Sequence, residues 1–226
     1  MKKKWLIKTL TISIFIFFID ISLITLPESI SMEKQFSTSG SWNTTEVIST
    51  ESTDNSFVSS LWADSNGTVH VAWHDHTNYG GSSGTSHIFY KYKPTGGSWS
   101  TTELVSTEST GSSEQPSLMV DNEGTIHIAW MDDSNYGGGG YATYDVFYKN
   151  KPTSGSWSIT EVVSTESTNY AWWPSLWVDD DCTVHVAWED WTNYGGSDTD
   201  IFYKYKPRGG SWSTTEVVST ESTGFS

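Results

Sequence analysis

One cysteine and one arginine are present among 226 residues, and each scarcity excludes something. Cys182 has no intramolecular partner, so no disulfide staples the chain and stability must come from packing. Basic groups are few: 12 Lys and Arg stand against 27 Asp and Glu, a net charge of −15. Five of the lysines (Lys2, Lys3, Lys4, Lys8 and Lys34) fall near the N-terminus, so the remainder is more acidic still. Such a surface excludes nucleic acid as a partner, because phosphate binding needs clustered Lys and Arg. Cations, neutral sugars and proteins stay open. Helix-period segments are missing after residue 35, which argues against a helical domain.

What is abundant is aromatic: 13 Trp, 11 Tyr and 9 Phe, far more than a disordered chain carries. The first residues, "MKKKWLIKTLTISIFIFFIDISLITLP", pair a basic start with 11 uncharged residues between Lys8 and Asp20. That is the length of an export signal, short of the roughly 20 residues that span a bilayer. With Asp20 tolerated, the apolar segment runs to Leu26 and would act as a signal anchor. Residues 1–35 are therefore read as signal peptide or anchor with a linker, and 36–226 as a secreted or cell-surface body.

The body repeats. Trp42, Trp99, Trp157 and Trp212 stand in "GSWN" or "GSWS" at spacings of 57, 58 and 55. Each is followed by a near copy of "TTEVVSTEST". The intervening text also recurs: "SLWADSNGTVHVAW" and "HIFYKYKPTGGSW", then "SLMVDNEGTIHIAW" and "DVFYKNKPTSGSW", then "SLWVDDDCTVHVAW" and "DIFYKYKPRGGSW". Repeat boundaries fall near 40–98, 99–156, 157–211 and 212–226. Each unit holds four short β-type runs, a to d, bounded by turn residues. In the third copy they are "SLWVD" (175–179), "VHVAW" (184–188), "DIFYKYK" (200–206) and "TEVVST" (215–220). Four antiparallel strands per repeat of this length predict an all-β β-propeller blade. About three blades and one leading strand d (44–50) are present. The last repeat stops at "ESTGFS", where another strand a would begin. Two readings follow: a partial propeller from a longer gene, or a homo-oligomer in which copies close the ring.

The pattern D-x-x-G-T-[VI]-H-[VI]-A-W … [IV]-F-Y-K … G-[GS]-S-W over residues 40–226 resembles the repeats of sialidase-like, or BNR-repeat, β-propellers. The family's Asp-box is degenerate in "YKPTGGSW" (92–99). Gly96 and Trp99 match, while Tyr92 and Pro94 stand where Ser and Asp would be. The resemblance implies sialic acid removal by an arginine triad, a Tyr–Glu nucleophile pair and an Asp acid. Arg208 alone cannot form that triad, so the enzyme reading is weak in this segment.

Repeat spacings are constant except between strands b and c, where the distance from the strand-b Trp to the strand-c Phe is 16, 17 or 14 residues. The d–a segments "DNSFVS" (54–59), "GSSEQP" (111–116) and "NYAWWP" (169–174) diverge in sequence. Both connections lie on one face of the disc, which is the predicted binding face. Candidate ligand-binding residues there are Asp75, Asn78, Tyr79, Asp132, Asn135, Tyr136, Asp190, Trp191, Asn193, Tyr194, Trp172 and Trp173. Exposed rings offer flat platforms for sugars, and amides beside them can bond hydroxyls. Three roles stay open for Asp75, Asp132 and Asp190: capping their own loops, contacting ligand, or catalysis. For Tyr79, Tyr136 and Tyr194 the alternative to a sugar platform is a loop anchor. His70, His127 and His185 read as packed structural histidines, and Trp73, Trp130 and Trp188 as blade core. No cofactor is implied, although the oxygen-rich run 189–200 could hold Ca²⁺. No catalytic residue is assigned. The function expected is a non-catalytic module recognising carbohydrate or an extracellular protein. The alternatives are a glycoside-processing enzyme and a structural surface repeat.

Overall fold

The computed structural model describes residues 43–78, 86–134, 144–192 and 199–220. The chain separates into two units, Met1–Glu46 and Val47–Ser226. Of the first, only 43–46 are described, and they form neither helix nor strand. The second unit carries 12 strands among its described residues. β1 (Ser56–Ala63), β2 (Val69–Asp75), β3 (His87–Lys93) and β4 (Glu103–Leu104) make one sheet. β5 (Ser113–Val120), β6 (Ile126–Asp132), β7 (Asp145–Lys151) and β8 (Glu161–Val162) make the next. β9 (Ala171–Val178), β10 (Val184–Asp190), β11 (Asp200–Lys206) and β12 (Glu216–Val217) complete the third. Within every sheet the strands pair antiparallel in chain order. These are three blades of a β-propeller.

Two strand boundaries differ from the sequence reading. Strand a starts about four residues early, inside the segment assigned to the d–a loop, because Ser56, Ser113 and Ala171 pair with the last residues of strand b. Strand d shrinks to two residues in each blade. The leading segment 44–50 forms no strand at all. Its counterparts in β4, β8 and β12 each pair with a strand c of their own sheet.

Alternation along the strands explains the stacking. Ala72, Ile88 and Tyr90 of blade 1 pack on Leu118, Val120, Ile128, Trp130 and Phe147 of blade 2. The other face of blade 2, with Met119, Ala129, Val146 and Tyr148, packs on Leu176, Val178, Val186, Trp188 and Phe202 of blade 3. Trp73, Trp130 and Trp188 are buried, and each meets the strand-c Phe at about 6 Å. On the inner strands, Trp62 and Trp177 meet edge-on at 5.9 Å, so blades 1 and 3 converge.

A buried lysine ties each blade to the segment before it. Lys149 Nζ donates to Val105 O at 2.9 Å and Thr107 Oγ1 at 2.7 Å, and pairs with Glu108. Lys204 repeats this on Val163 O, Thr165 and Glu166, and Lys91 on Ile48 O, Thr50 and Glu51. Lys91, followed by Thr102, holds the Glu51 carboxyl down to about 2. The repeated "GSW" tryptophan supplies a second tie. Trp157 Nε1 donates to Glu103 at 2.9 Å and its ring meets Tyr90 edge-on, as Trp212 does with Glu161 and Tyr148.

The single cysteine occupies a glycine's place. At the a–b turn Gly67 and Gly124 have φ of 75° and 79°, and Cys182 has φ of 59°. A Cβ on Gly124 would lie 2.6 Å from Thr153 Oγ1, which bonds Gly124 O at 3.0 Å. In blade 3 that threonine is Arg208, which instead reaches out to Glu123, leaving room for the cysteine side chain. Gly124→Cys is therefore expected to cost about 2 kcal/mol, from left-handed strain and collision together. In a Thr153→Arg background the cost should fall to about 1 kcal/mol, the strain alone. Chemical denaturation of the four-member cycle measures this, and additivity would refute the pairing.

His70, His127 and His185 each link the a–b turn to strand c. Their Nδ1 atoms lie 2.6–2.7 Å from the hydroxyls of Tyr90, Tyr148 and Tyr203. His127 and His185 also reach Asp121 and Asp179 at 3.1 and 3.2 Å. Burial pushes His70 and His127 below the ordinary imidazole value despite the acids, and burial does the same for His74 and His87. The unfolded chain then binds protons near pH 6.5 that the folded chain refuses. Stability is fully present above that pH and is lost as pH falls below it. Melting temperature should drop by several degrees between pH 7.5 and 5.5, and by less in His127→Gln. A flat profile over that window would contradict this.

Candidate functional site

The ends of strand b and the starts of strand a lie together on one face. Three of the candidate residues, Asp75, Asp132 and Asp190, close strand b and are all buried. Each accepts the indole N–H of the tryptophan two residues earlier, at 3.3, 3.0 and 2.8 Å. Each also accepts the backbone N–H two residues later, at 2.7, 2.9 and 2.8 Å. Ser56 and Ser113 donate to the first two at 2.5 Å, and Ser109 and Ser167 to the last two. Burial opposes the charge on Asp75, but Ser56, Thr77 and Ser52 outweigh it and hold the carboxyl below its usual range. Of the three roles left open for these aspartates, this geometry favours capping: their oxygens accept protein donors at the strand-b exit.

Asn78 is exposed on this face. Tyr79, Asn135, Tyr136, Asn193 and Tyr194 lie outside the described residues, as do residues 193–198 of the run 189–200. Trp172 and Trp173 are on strand β9 rather than in a loop. Trp172 is the hub of an aromatic shelf. Its ring centroid lies 4.9 Å from Tyr170, 5.4 Å from Trp191, 5.5 Å from Trp173 and 6.3 Å from Tyr144. Trp173 is 53% exposed. The shelf joins blades 2 and 3, since Ala171 N–H donates to Tyr144 O at 2.8 Å. Tyr144, just before β7, was missed in the sequence reading because nothing in its spacing marks it.

Two carboxylates adjoin the shelf. Glu114 is raised by burial first and by the charge of Asp133 second, with His76 opposing. Tyr144 is pushed up to about 12 by burial, then by Glu114 and Asp133. Asp133 accepts the Ser112 N–H and so holds the start of β5. Glu114 sits in a d–a segment flagged as variable, but its residue type gave no reason to single it out. In blade 1 the same positions hold Phe57, stacked on His74 at 5.4 Å and tilted against His76 at 5.2 Å.

At the opposite end a hollow of about 430 Å³ is lined by Trp62, Met119 and Trp177 and by the a–b turns. Its acids Asp64, Asp121 and Asp179 accept their own turn N–H groups at 2.8–3.0 Å, so they serve the turns.

Blade architecture and topology define the class: an all-β chain built of propeller blades. Among solved structures it is similar to a Hadza microbial sialidase, at 14% identity and a TM-score of 0.52, over 71% of this chain and 37% of that one. It is also similar to a protein of unknown function from Dyadobacter fermentans, at 16% identity and 0.49, over 69% and 52%. A fucose lectin from Kordia zhangzhouensis aligns at 12% identity and 0.43, over 72% and 98%. The chain thus spans about half or less of the first two, and likeness at these identities shows the fold alone. No protein-family model and no curated protein sequence matches the chain. Among the described residues no helix is long and apolar enough to cross a membrane.

Proposed function

We propose that the chain is an exported, non-catalytic recognition module of sialidase-like propeller type that binds carbohydrate on the face bearing the strand-b exits. The observation that carries this is the shelf of Tyr144, Tyr170, Trp172, Trp173 and Trp191. Packed aromatic rings with one exposed tryptophan suit stacking on sugar rings. The acidic composition and the lack of an arginine clamp favour neutral over anionic sugars. Export is supported by the basic and apolar pattern of residues 2–26.

The test is titration calorimetry with neutral oligosaccharides. Trp172→Ala and Trp173→Ala are expected to weaken binding about tenfold each while the melting transition persists. No heat above background with any probe would refute the reading.

Glu114 and Asp133 favour a second reading, glycoside hydrolysis. A raised carboxyl beside a second acid is the pairing such chemistry uses. Turnover of a chromogenic glycoside that vanishes in Glu114→Gln would establish it over the first.

A further inference from the structure

Among the described residues, β1, β5 and β9 each carry the same irregularity near the start. The pairing of β1 with β2 slips between Phe57 and Ser59, that of β5 with β6 between Glu114 and Ser117, and that of β9 with β10 opposite Trp172–Ser175. One residue in each bulge is left-handed: Val58 at φ 38°, Gln115 at 53° and Trp173 at 50°. None is glycine, and one is β-branched, the type least suited to this conformation. A turn needed only for shape would take glycine, as the a–b turns of blades 1 and 2 do.

The side chains say what the bulge is for. The bulge pair reads Phe57–Val58, then Glu114–Gln115, then Trp172–Trp173. One residue beyond it the copies agree again: Ser60, Ser117 and Ser175, then Leu61, Leu118 and Leu176. Those serines fix the spacing between blades, because Ser60 Oγ accepts from Leu118 N at 2.9 Å and Ser117 Oγ from Leu176 N at 3.0 Å. A rigid frame therefore carries three adjacent pairs of different chemistry: apolar, acid–amide and aromatic. Phe57, Val58 and Trp173 are each close to half exposed or more.

We infer that the three strand-a bulges read the ligand, and that the ligand is a linear neutral oligosaccharide of at least three units laid across the inner strands. The bulge breaks the sheet's alternation, so two consecutive side chains can share one side, which a regular strand does not allow. Backbone strain retained in all three copies has a use if these side chains are needed there. The inference rests on the carbohydrate reading above and adds to it the length of the ligand and the residues that select it.

The experiment is calorimetry on the full chain with cello-, xylo-, manno- and chito-oligosaccharides of one to six units. Affinity is expected to climb through three units. Phe57→Ala should weaken hexasaccharide binding at least tenfold, and disaccharide binding by a smaller factor. Val58→Gly and Gln115→Gly relieve the left-handed strain, so they should melt at equal or higher temperature yet bind the hexasaccharide more weakly. A monosaccharide that binds as tightly as the hexasaccharide overturns the inference, as do glycine variants that bind unchanged. In either case binding lost in Trp172→Ala would leave the carbohydrate reading standing. Absence of binding by every probe removes both.

Discussion

Lys149→Ala is expected to destabilise the propeller by about 3–5 kcal/mol, the cost of breaking a buried ionic group from one side. The ammonium lies between blades 1 and 2 and donates to Val105 O and Thr107 Oγ1 beside Glu108. Alanine leaves the Val105 carbonyl short of a donor and Glu108 without its cation, and it opens a cavity along the lysine stem. Lys149→Met keeps the stem and should cost less, about 2–3 kcal/mol. Urea unfolding of the three proteins gives the comparison. A cost below 1 kcal/mol for alanine would mean that the lysine is not what joins the blades. The tie should also weaken in acid. Burial disfavours the Glu108 carboxylate, but Lys149, Thr160 and Thr107 together hold it below its usual value. Its contribution is present above the unfolded carboxyl value of roughly 4.3 and is lost as pH falls through the depressed folded one.

Asp132→Ala should be as damaging, at about 4 kcal/mol, because four donors lose their acceptor in a buried site. Those donors are Ser109 Oγ at 3.0 Å, Ser113 Oγ at 2.5 Å, Trp130 Nε1 at 3.0 Å and Ser134 N at 2.9 Å. Asp132→Asn keeps one oxygen and should cost roughly half as much. Measured under conditions where it is folded, Asp132→Asn should bind oligosaccharide like the unsubstituted chain. If instead it kept full stability and lost binding, this aspartate would be a ligand contact after all. The comparison therefore separates a residue that builds the face from one that belongs to it.

How legible the molecule was differs from element to element. The blades could be read because repetition multiplies a weak signal. "VHVAW" alone is an ambiguous apolar run, but three copies at matched distances from "FYK" and "GSW" specify a four-stranded unit. A candidate face could be picked out because the b–c connection varies in length and the d–a segment in sequence, while the turns opposite barely change. The aspartates at 75, 132 and 190 were noticed for recurring, and recurrence did not say which way they point. Only the fold turns them inward onto the tryptophan two residues before. Tyr144 and Glu114 carried no mark, since each becomes informative only beside Trp172 or Asp133, residues distant in sequence.

Sequence pattern alone settled what depends on neighbours along the chain: strand periodicity, turn residues, repeat length and the acidic balance. It was enough for fold class, for the buried tryptophans and for the three four-stranded sheets among the described residues. Tertiary structure was required wherever one blade meets another. The lysine ties, the Arg208–Glu123 pair beside Cys182, the Tyr144–Trp172 contact of the shelf and the Ser60–Leu118 bond between inner strands join residues about 30 to 85 positions apart. The physical reason is that periodicity records which face of a strand is apolar, whereas the partner of that face is chosen by packing in three dimensions.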